Sequence, residues 1–130
     1  MVMSSVGVFP KKSKLTVPAG TGTEVFSGNS PITSFADLDL SGTVGKRSAL
    51  VFLKLIQTSG TTSRQFYFRK NGDTDTPTTN VASSSGCASV IVAALAESVF
   101  VLVATDTNGV IEWLSDAVRA CTIDVVAFIA

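Results

Sequence analysis

Two pairs of aspartates, Asp37 with Asp39 and Asp73 with Asp75, have the spacing best suited to chemistry in this chain. Side chains two residues apart share one side of an extended segment, and paired-acid hydrolysis needs two carboxyl groups about 5 to 10 Å apart. Aspartates at this spacing more often serve as turn and solvation residues, because they bond nearby backbone amides. No nucleophile, activated base or oxyanion donor stands beside either pair, so we predict a non-enzymatic protein. A small hydrolase that uses Asp73 or Asp75 is the open alternative.

The chain contains no histidine. This absence removes Ser-His-Asp and Cys-His catalysis, histidine-ligated metals, and the usual general base near neutral pH. Residues 71–75 are dense in the oxygen ligands that calcium prefers, but they lack the spacing to the bidentate glutamate of an EF-hand loop. We therefore predict a hydrated loop in this segment, with no cofactor and no metal.

The two cysteines, Cys87 and Cys121, leave two interpretations open. A disulfide needs a specific geometry that sequence spacing does not establish. Free cysteines behave as small hydrophobic residues, so we expect two buried thiols.

The composition indicates a domain that is more apolar than its size requires. A chain of 130 residues forms one domain with a single core. Charged residues make up 15% of the sequence, against about 25% in typical soluble domains. Permanent subunit interfaces resemble a core cut in half, so contact with further protein chains would cover the excess apolar surface. We therefore predict a homo-oligomer.

Other partners are disfavoured by the sequence. The most apolar window, residues 88–104, contains Glu97 in its middle and is shorter than the roughly 20 apolar residues of a membrane-spanning helix. Ten basic and ten acidic residues give a net charge of zero, which argues against a nucleic-acid partner. Residues 1–5 lack the basic and apolar regions of a signal peptide. We predict no membrane contact, no nucleic acid and no export by a signal peptide.

Residues 49–72 are predicted to form a hairpin at the centre of the sheet. Two runs of branched and aromatic residues are separated by a short polar segment, which is typical of an antiparallel pair. Phe66 and Phe68 share one face of the second run. The first run is apolar on both faces except at Lys54, so we expect it to be covered on both sides.

A second hairpin is predicted around Asn108-Gly109. This dipeptide between two apolar runs is a strong hairpin signal because both central positions tolerate positive φ. In the return strand, residues 110–114, Ile111 and Trp113 share a face. We expect Trp113 in the core, with a sugar-stacking platform as the open alternative.

Residues 1–22 are predicted to form an extended N-terminal arm, and residues 23–130 a single β-domain. Two prolines in the arm disfavour a central strand. Lys11, Lys12 and Lys14 are expected at a solvated surface, with an electrostatic contact to an acidic neighbour as the alternative.

The fold predicted from these segments is all-β, an antiparallel β-sandwich of jelly-roll type. It follows from about nine short strands, turn signals at fairly regular spacing and no convincing amphipathic helix. Phe35 has the opposite parity to Leu38 and Leu40, and we predict a bulge or bend near Ala36 that reconciles them.

Four stretches carry a recognisable series of turns and strands: DLDLSGTVG at 37–45, ALVFLK at 49–54, FRKNGD at 68–73 and TDTNGVIEW at 105–113. Together they resemble small virion proteins of tailed bacteriophages. The resemblance implies a structural role as a head decoration protein or as a tail or fibre component, commonly trimeric, and it transfers no catalytic residue. The chain lacks the repeat-rich shaft of a long fibre.

Two hypotheses follow from this resemblance. In the first, the protein is a capsid decoration or cement subunit, a homotrimer that stabilises the assembled shell. It binds the major capsid protein through residues 1–22, and it is made in the host cytoplasm before it joins the virion. In the second, it is a receptor-binding or lectin-like head of a phage tail or fibre, and the long polar loop 71–86 contacts a glycan. The candidate interaction residues are Lys11, Lys12, Lys14, Tyr67, Arg69, Asp73 and Asp75.

Overall fold

The computed structural model describes residues 12–20, 22–74, 88–93 and 97–130. Nine strands and one short helix lie within these ranges. They are β1 Leu15–Thr16, β2 Thr23–Asn29, β3 Ala36–Asp39, α1 Ser41–Val44, β4 Leu50–Gln57, β5 Arg64–Lys70, β6 Ala88–Val92, β7 Ser98–Ala104, β8 Val110–Ser115 and β9 Ala120–Ile129.

The strands form two antiparallel sheets that pack face to face. In sheet A, β9 lies between β4 and the collinear pair β1 and β2, and β7 flanks β4. Sheet B has the order β3-β8-β5-β6. From β2 to β9 the chain changes sheet at every connection except the one between β5 and β6. This alternation between two sheets is the jelly-roll topology, so the predicted fold is confirmed.

Both predicted hairpins are wrong. β4 pairs with β7 and β9, whereas β5 pairs with β6 and β8 in the other sheet. The turn at Asn108-Gly109 is present, with Gly109 at φ 78°, but it leads from β7 in sheet A to β8 in sheet B. Turn chemistry sets where the chain reverses. It does not decide whether the flanking strands pair or face each other across the core.

The core lies between the two sheets. Residues of β4 alternate between fully buried and more exposed positions, because successive side chains point to opposite faces. Its outer face, with Phe52, Lys54 and Ile56, is only partly covered, so the prediction that this strand is covered on both sides is wrong. The largest fully buried hydrophobic side chains are Trp113, Phe66, Phe68, Leu40, Leu53, Leu55, Ile111 and Ile123.

Trp113 is the centre of an aromatic cluster inside this core. The ring of Phe26 meets it edge-on, with centroids 4.7 Å apart. Phe66 and Phe68 lie nearly parallel to it at 6.5 and 6.0 Å. The prediction that Trp113 belongs to the core is confirmed, and its burial removes it as a sugar-stacking platform.

The bulge or bend predicted near Ala36 does not bring Phe35 to the side of Leu38 and Leu40: the chain bends at residues 33 and 34, before the strand begins. β3 pairs with β8 in regular register over its whole length. Leu38 and Leu40 are buried, whereas Phe35 is half-buried on the outer side of sheet B. Phe35 therefore has the opposite parity to Leu38 and Leu40, because its ring contacts Arg69 on the outer face of sheet B.

Part of the predicted N-terminal arm pairs with the last strand. β1 pairs with the end of β9, and the backbones of Lys14 and Ala130 exchange two hydrogen bonds of 2.9 and 3.2 Å. The other residues of the predicted arm, 1–11 and 21, lie outside the described residues.

Cys121 is a free thiol in the core. Burial raises the pKa of this thiol to about 12, because the charged thiolate is disfavoured away from water. Cys87 lies outside the described residues.

Candidate functional site

Two surfaces stand out on the outer faces of the sandwich, one on each sheet. The first is a cleft of about 590 Å³ on sheet B, which we call the Arg69 cleft. It combines apolar, hydroxyl and charged side chains. Its lining residues are Thr33, Ser34, Phe35, Arg69, Asp73, Thr74 and Leu114.

Arg69 reaches the cleft because strand alternation puts it on the outer face of β5, while Phe66 and Phe68 point into the core. Glu112 is its register partner on β8. Arg69 Nε donates a hydrogen bond to Glu112 Oε2 at 2.6 Å, and the two side chains are only 12% and 14% exposed. The result is a short, largely shielded ion pair at the base of the cleft.

Phe35 covers this ion pair from the β3 side. The Cζ atom of Arg69 lies 3.8 Å from the centroid of the Phe35 ring. A guanidinium at this distance is attracted by the negative face of the ring. Phe35 is brought there because the adjoining strand β3 pairs with β8, the strand that carries Glu112.

The turn that follows β5 places Asp73 at the edge of the cleft. Three hydrogen bonds fix this turn, and two of them connect it to side chains on other elements. They are Asp73 N to Lys70 O at 3.0 Å, Gly72 N to Glu112 Oε1 at 3.3 Å, and Asn71 Nδ2 to Asp106 Oδ2 at 2.8 Å. Glu112 therefore orients both Arg69 and the turn that carries Asp73.

The cleft combines an ion pair with a further carboxylate. Glu112 pairs with Arg69, and Asp73 lies among the lining residues. Phe35 and Leu114 supply apolar wall, while the remaining lining residues carry hydroxyl groups. Such a cleft can donate and accept hydrogen bonds beside an apolar surface.

Tyr67 lies beside the cleft without lining it. It pairs in register with Leu114 on β8 and is half-buried on the same outer face. Burial, and secondarily the negative charge of Asp116, raise the pKa of its phenol above the usual value.

The second surface is an apolar patch on the outer face of sheet A, formed by Leu15, Leu50, Phe52, Phe100 and Leu102. Register places Phe52 opposite Leu102 on the neighbouring strands β4 and β7. Phe100 is 64% exposed and Leu102 47% exposed. These are large hydrophobic side chains in contact with solvent on one continuous face.

One ion pair lies within this face. Lys54 Nζ is 3.5 Å from Asp124 Oδ2, and Lys54 is the register partner of Phe100. The two charges neutralise each other, so the face as a whole remains apolar in character.

The structure separates the other predicted site residues. Lys12 and Lys14 are exposed near β1, while Lys11 and Asp75 lie outside the described residues, as do residues 75–86 of the long loop. The structure therefore brings together Arg69 and Asp73 from the predicted set.

Asp39 behaves as the turn interpretation predicts, whereas Asp37 lies within a strand. Asp39 Oδ1 accepts a hydrogen bond from Ser41 N at 2.8 Å. The pKa of Asp39 is lowered, chiefly by hydrogen bonding to Ser41, which favours the charged carboxylate. Asp37 is exposed on β3.

Sequence reasoning missed Phe35, Glu112 and Leu114 as site residues. The parity of Phe35 was the signal that could have found it, because an aromatic residue on the outer face of a strand needs a partner there. Glu112 has the outward parity of β8, opposite to Trp113, but its pairing with Arg69 depends on non-local register.

Comparison with known protein families, curated proteins and solved structures finds no match for this chain. Within the described residues, no three cysteine, aspartate or glutamate side chains gather as metal ligands. No helix in the same part of the chain is long and apolar enough to span a membrane.

Proposed function

We propose that the protein is a non-enzymatic structural subunit of a bacteriophage virion, a capsid decoration or cement protein that assembles as a homotrimer and binds the shell. The apolar patch on sheet A is the observation that carries this proposal. Exposed apolar clusters of this kind mark protein interaction sites. The jelly-roll architecture, which viral capsid proteins also use, supports the proposal by analogy of fold.

The edge strand β7 strengthens the case for a partner. Among the described strands, β7 pairs only with β4, and its sequence SVFVLVA contains no charge and no proline. Natural edge strands are usually protected by charges, proline or bulges, because an open apolar edge recruits other strands. A partner that covers β7 and the apolar patch would remove this hazard.

The size of the patch indicates how strong one contact is. Burying a large apolar side chain completely contributes about 1.5–3 kcal/mol. Each exposed side chain of the patch is already partly buried, so covering the remainder contributes roughly half of that free energy. Four such side chains give roughly 3–6 kcal/mol per subunit, whereas association costs about 4–15 kcal/mol. One patch therefore supports a weak contact. A subunit that touches several neighbours on a shell gains the remainder by multivalency.

The test measures the mass of the full-length protein by light scattering over a range of concentrations, together with its binding to undecorated phage heads. We expect concentration-dependent trimers and binding to heads. The double variant Phe100→Lys and Leu102→Lys should be monomeric, because two charges would have to be buried in the contact. Ile91→Lys is the matched control, since Ile91 is 58% exposed on β6, the edge strand of the other sheet. A wild-type monomer that ignores heads at every concentration contradicts the proposal.

A second candidate function is receptor binding as the head of a phage tail or fibre. The Arg69 cleft favours it, because the cleft lies on the face opposite to the apolar patch and stays accessible when the patch is covered. One molecule can use the first surface for assembly and the second for a ligand.

A further inference from the structure

We propose that the open edge of β7 pairs antiparallel with the β7 strand of a second copy of this chain, so that the two A sheets join into one continuous sheet. The partner is held by main-chain hydrogen bonds along a strand edge. This inference concerns the edge of sheet A, whereas the proposed function uses its outer face, and it does not require the protein to belong to a virion.

The two sides of the sandwich differ in how their edge strands are protected. On one side lie β1, β2 and β3, where Glu24 and a register irregularity in β2, and Asp37 and Asp39 in β3, disfavour pairing with a further strand. On the other side β6 and β7 lie against each other, and their sequences ASVIV and SVFVLVA contain no charge and no proline. Of the two sides, the second is the one that can accept a strand.

Strand alternation shows which main-chain groups of β7 face the open edge. Thr105 N donates a hydrogen bond to Ala49 O at 2.8 Å, so these two residues occupy a hydrogen-bonded position of the ladder between β4 and β7. The register is regular from there to Ser98, so the odd-numbered residues of β7 bond to β4. The N–H and C=O groups of the even-numbered residues point the other way, and no described strand pairs with them. These residues are Ser98, Phe100, Leu102 and Ala104.

The sequence of β7 suits pairing with itself about a twofold axis. An axis at Val101 pairs all seven residues of the strand, and even-numbered residues then face even-numbered residues. Every main-chain group at the edge therefore gains a hydrogen-bond partner, whereas an axis at a neighbouring residue leaves part of each strand unpaired. The resulting pairs are Ser98 with Ala104, Val99 with Val103, and Phe100 with Leu102 of the second copy.

The side chains on the outer face are compatible with this register. Phe100 and Leu102 are 64% and 47% exposed, and each lies beside the other residue of the second copy after pairing. Cross-strand contacts of this kind stabilise antiparallel sheets. Phe52 is the register partner of Leu102 on β4, so the apolar patches of the two copies become one continuous surface. Glu97, directly before β7, falls opposite Thr105 and meets no like charge there.

The area of the joint indicates its strength. A strand of seven residues is about 23 Å long, and two sheets packed about 10 Å apart make a side about 20 Å deep once their outer side chains are included. This side therefore offers roughly 450 Å², compared with roughly 800 Å² per partner in a standard stable interface. We expect a dimer that forms at high protein concentration and dissociates on dilution.

Cysteine cross-linking of the full-length protein tests both the contact and its register. Val101→Cys places a thiol on the twofold axis, where the Cα atoms of a non-hydrogen-bonded pair lie about 4.5 Å apart, within the range of disulfides. Val103→Cys is the matched control, because Val101 and Val103 are 5% and 6% exposed on the same face of β7. In this register the two copies of residue 103 lie at least about 13 Å apart. Both variants carry Cys87→Ser, and Cys121 is buried.

We expect oxidation to convert Val101→Cys to a covalent dimer on a non-reducing gel at least tenfold faster than Val103→Cys. Ala104→Pro, added to Val101→Cys, removes one N–H from the open edge and should slow this cross-linking at least tenfold. Ala104→Ser keeps that N–H and should change the rate less than twofold. If Val101→Cys disturbs folding, sedimentation of the two Ala104 variants decides the matter, with the same tenfold and twofold limits on the dimer dissociation constant.

Three results overturn the inference: no cross-linking of Val101→Cys, equal cross-linking of the two valine variants, or a rate that Ala104→Pro leaves unchanged. Binding of the same samples to undecorated phage heads is measured separately. A protein that cross-links through Val101→Cys but ignores heads contradicts the virion proposal and supports the pairing of β7, so the two failures are distinguishable.

Discussion

Replacing Glu112 by leucine tests whether the Arg69–Glu112 ion pair organises the outer face of sheet B. The substitution removes both carboxylate oxygens, so Arg69 Nε and Gly72 N each lose an acceptor. Arg69 is 12% exposed and lies against the Phe35 ring, so water has little access to the guanidinium after the change.

The expected cost can be bracketed from the exposure of the pair. Removing one partner of a buried ion pair costs about 3–5 kcal/mol, whereas exposed pairs contribute about 0–1 kcal/mol. Side chains that are 12% and 14% exposed lie close to the buried limit but at the surface of a sheet. We therefore expect Glu112→Leu to lower the free energy of unfolding by about 2–3 kcal/mol.

A double-mutant cycle separates the ion pair from local packing. Arg69→Met leaves Glu112 with the backbone donor Gly72 N, so it should cost less than Glu112→Leu. The double variant should lie within about 1 kcal/mol of the wild type, because an apolar pair of similar volume can replace a shielded ion pair. Urea unfolding with an unchanged m-value measures all three stabilities.

The control is Asp124→Leu at the Lys54–Asp124 pair. Those atoms are 3.5 Å apart, and the side chains are 20% and 18% exposed. Lys54 can turn its flexible ammonium to water, so we expect a change within about 1 kcal/mol. If Glu112→Leu costs less than about 0.5 kcal/mol, or if the double variant loses as much as the two single variants together, the ion pair does not organise this face.

Two further predictions concern single residues. Asp106 accepts hydrogen bonds from Asn108 N, Val110 N and Asn71 Nδ2 at 2.8 to 2.9 Å, and bonding to Asn71 is the main cause that lowers its pKa below 3.8. The ionised Asp106 carboxylate therefore contributes fully to stability above pH 3.8, and this contribution is lost as the pH falls through the lower pKa of the folded state. Asp106→Asn should flatten the dependence of melting temperature on pH between about 5 and 2. An unchanged slope counts against this prediction. Cys121 should not react with a thiol reagent at pH 8 in the native protein and should react after unfolding in urea, because its pKa is raised to about 12 in the core. Peptide mapping distinguishes it from Cys87, and rapid labelling at Cys121 in the native protein would exclude that burial.

The sequence predicts the class of fold because strand alternation is a local property. β8 buries Ile111 and Trp113 on one face, and β9 buries Cys121, Ile123 and Val125 on one face before an irregularity moves the buried position to Phe128. Which strands pair is not a local property. β4 lies beside β7 and β9, which are distant in the chain, and short turns carry no information about such partners. Both hairpins were therefore predicted wrongly, although the reversals themselves were located correctly.

The same limit applies to the Arg69 cleft. Arg69 and Asp73 could be found because they flank a turn next to an aromatic strand. Phe35 and Glu112 reach them only through the pairing of β3 with β8 and of β8 with β5. The apolar patch was anticipated as an excess of hydrophobic residues in the composition, but its position depends on which strand forms the edge of sheet A.

β9 borders β1 and β2 along one side and β4 along the other. A growing chain on the ribosome therefore cannot assemble sheet A until residues 120–129 have emerged. Before that moment, β2 has no neighbour in its sheet and β4 has only β7. β9, which is synthesised after the other eight described strands, is thus the one that joins β1 and β2 to β4.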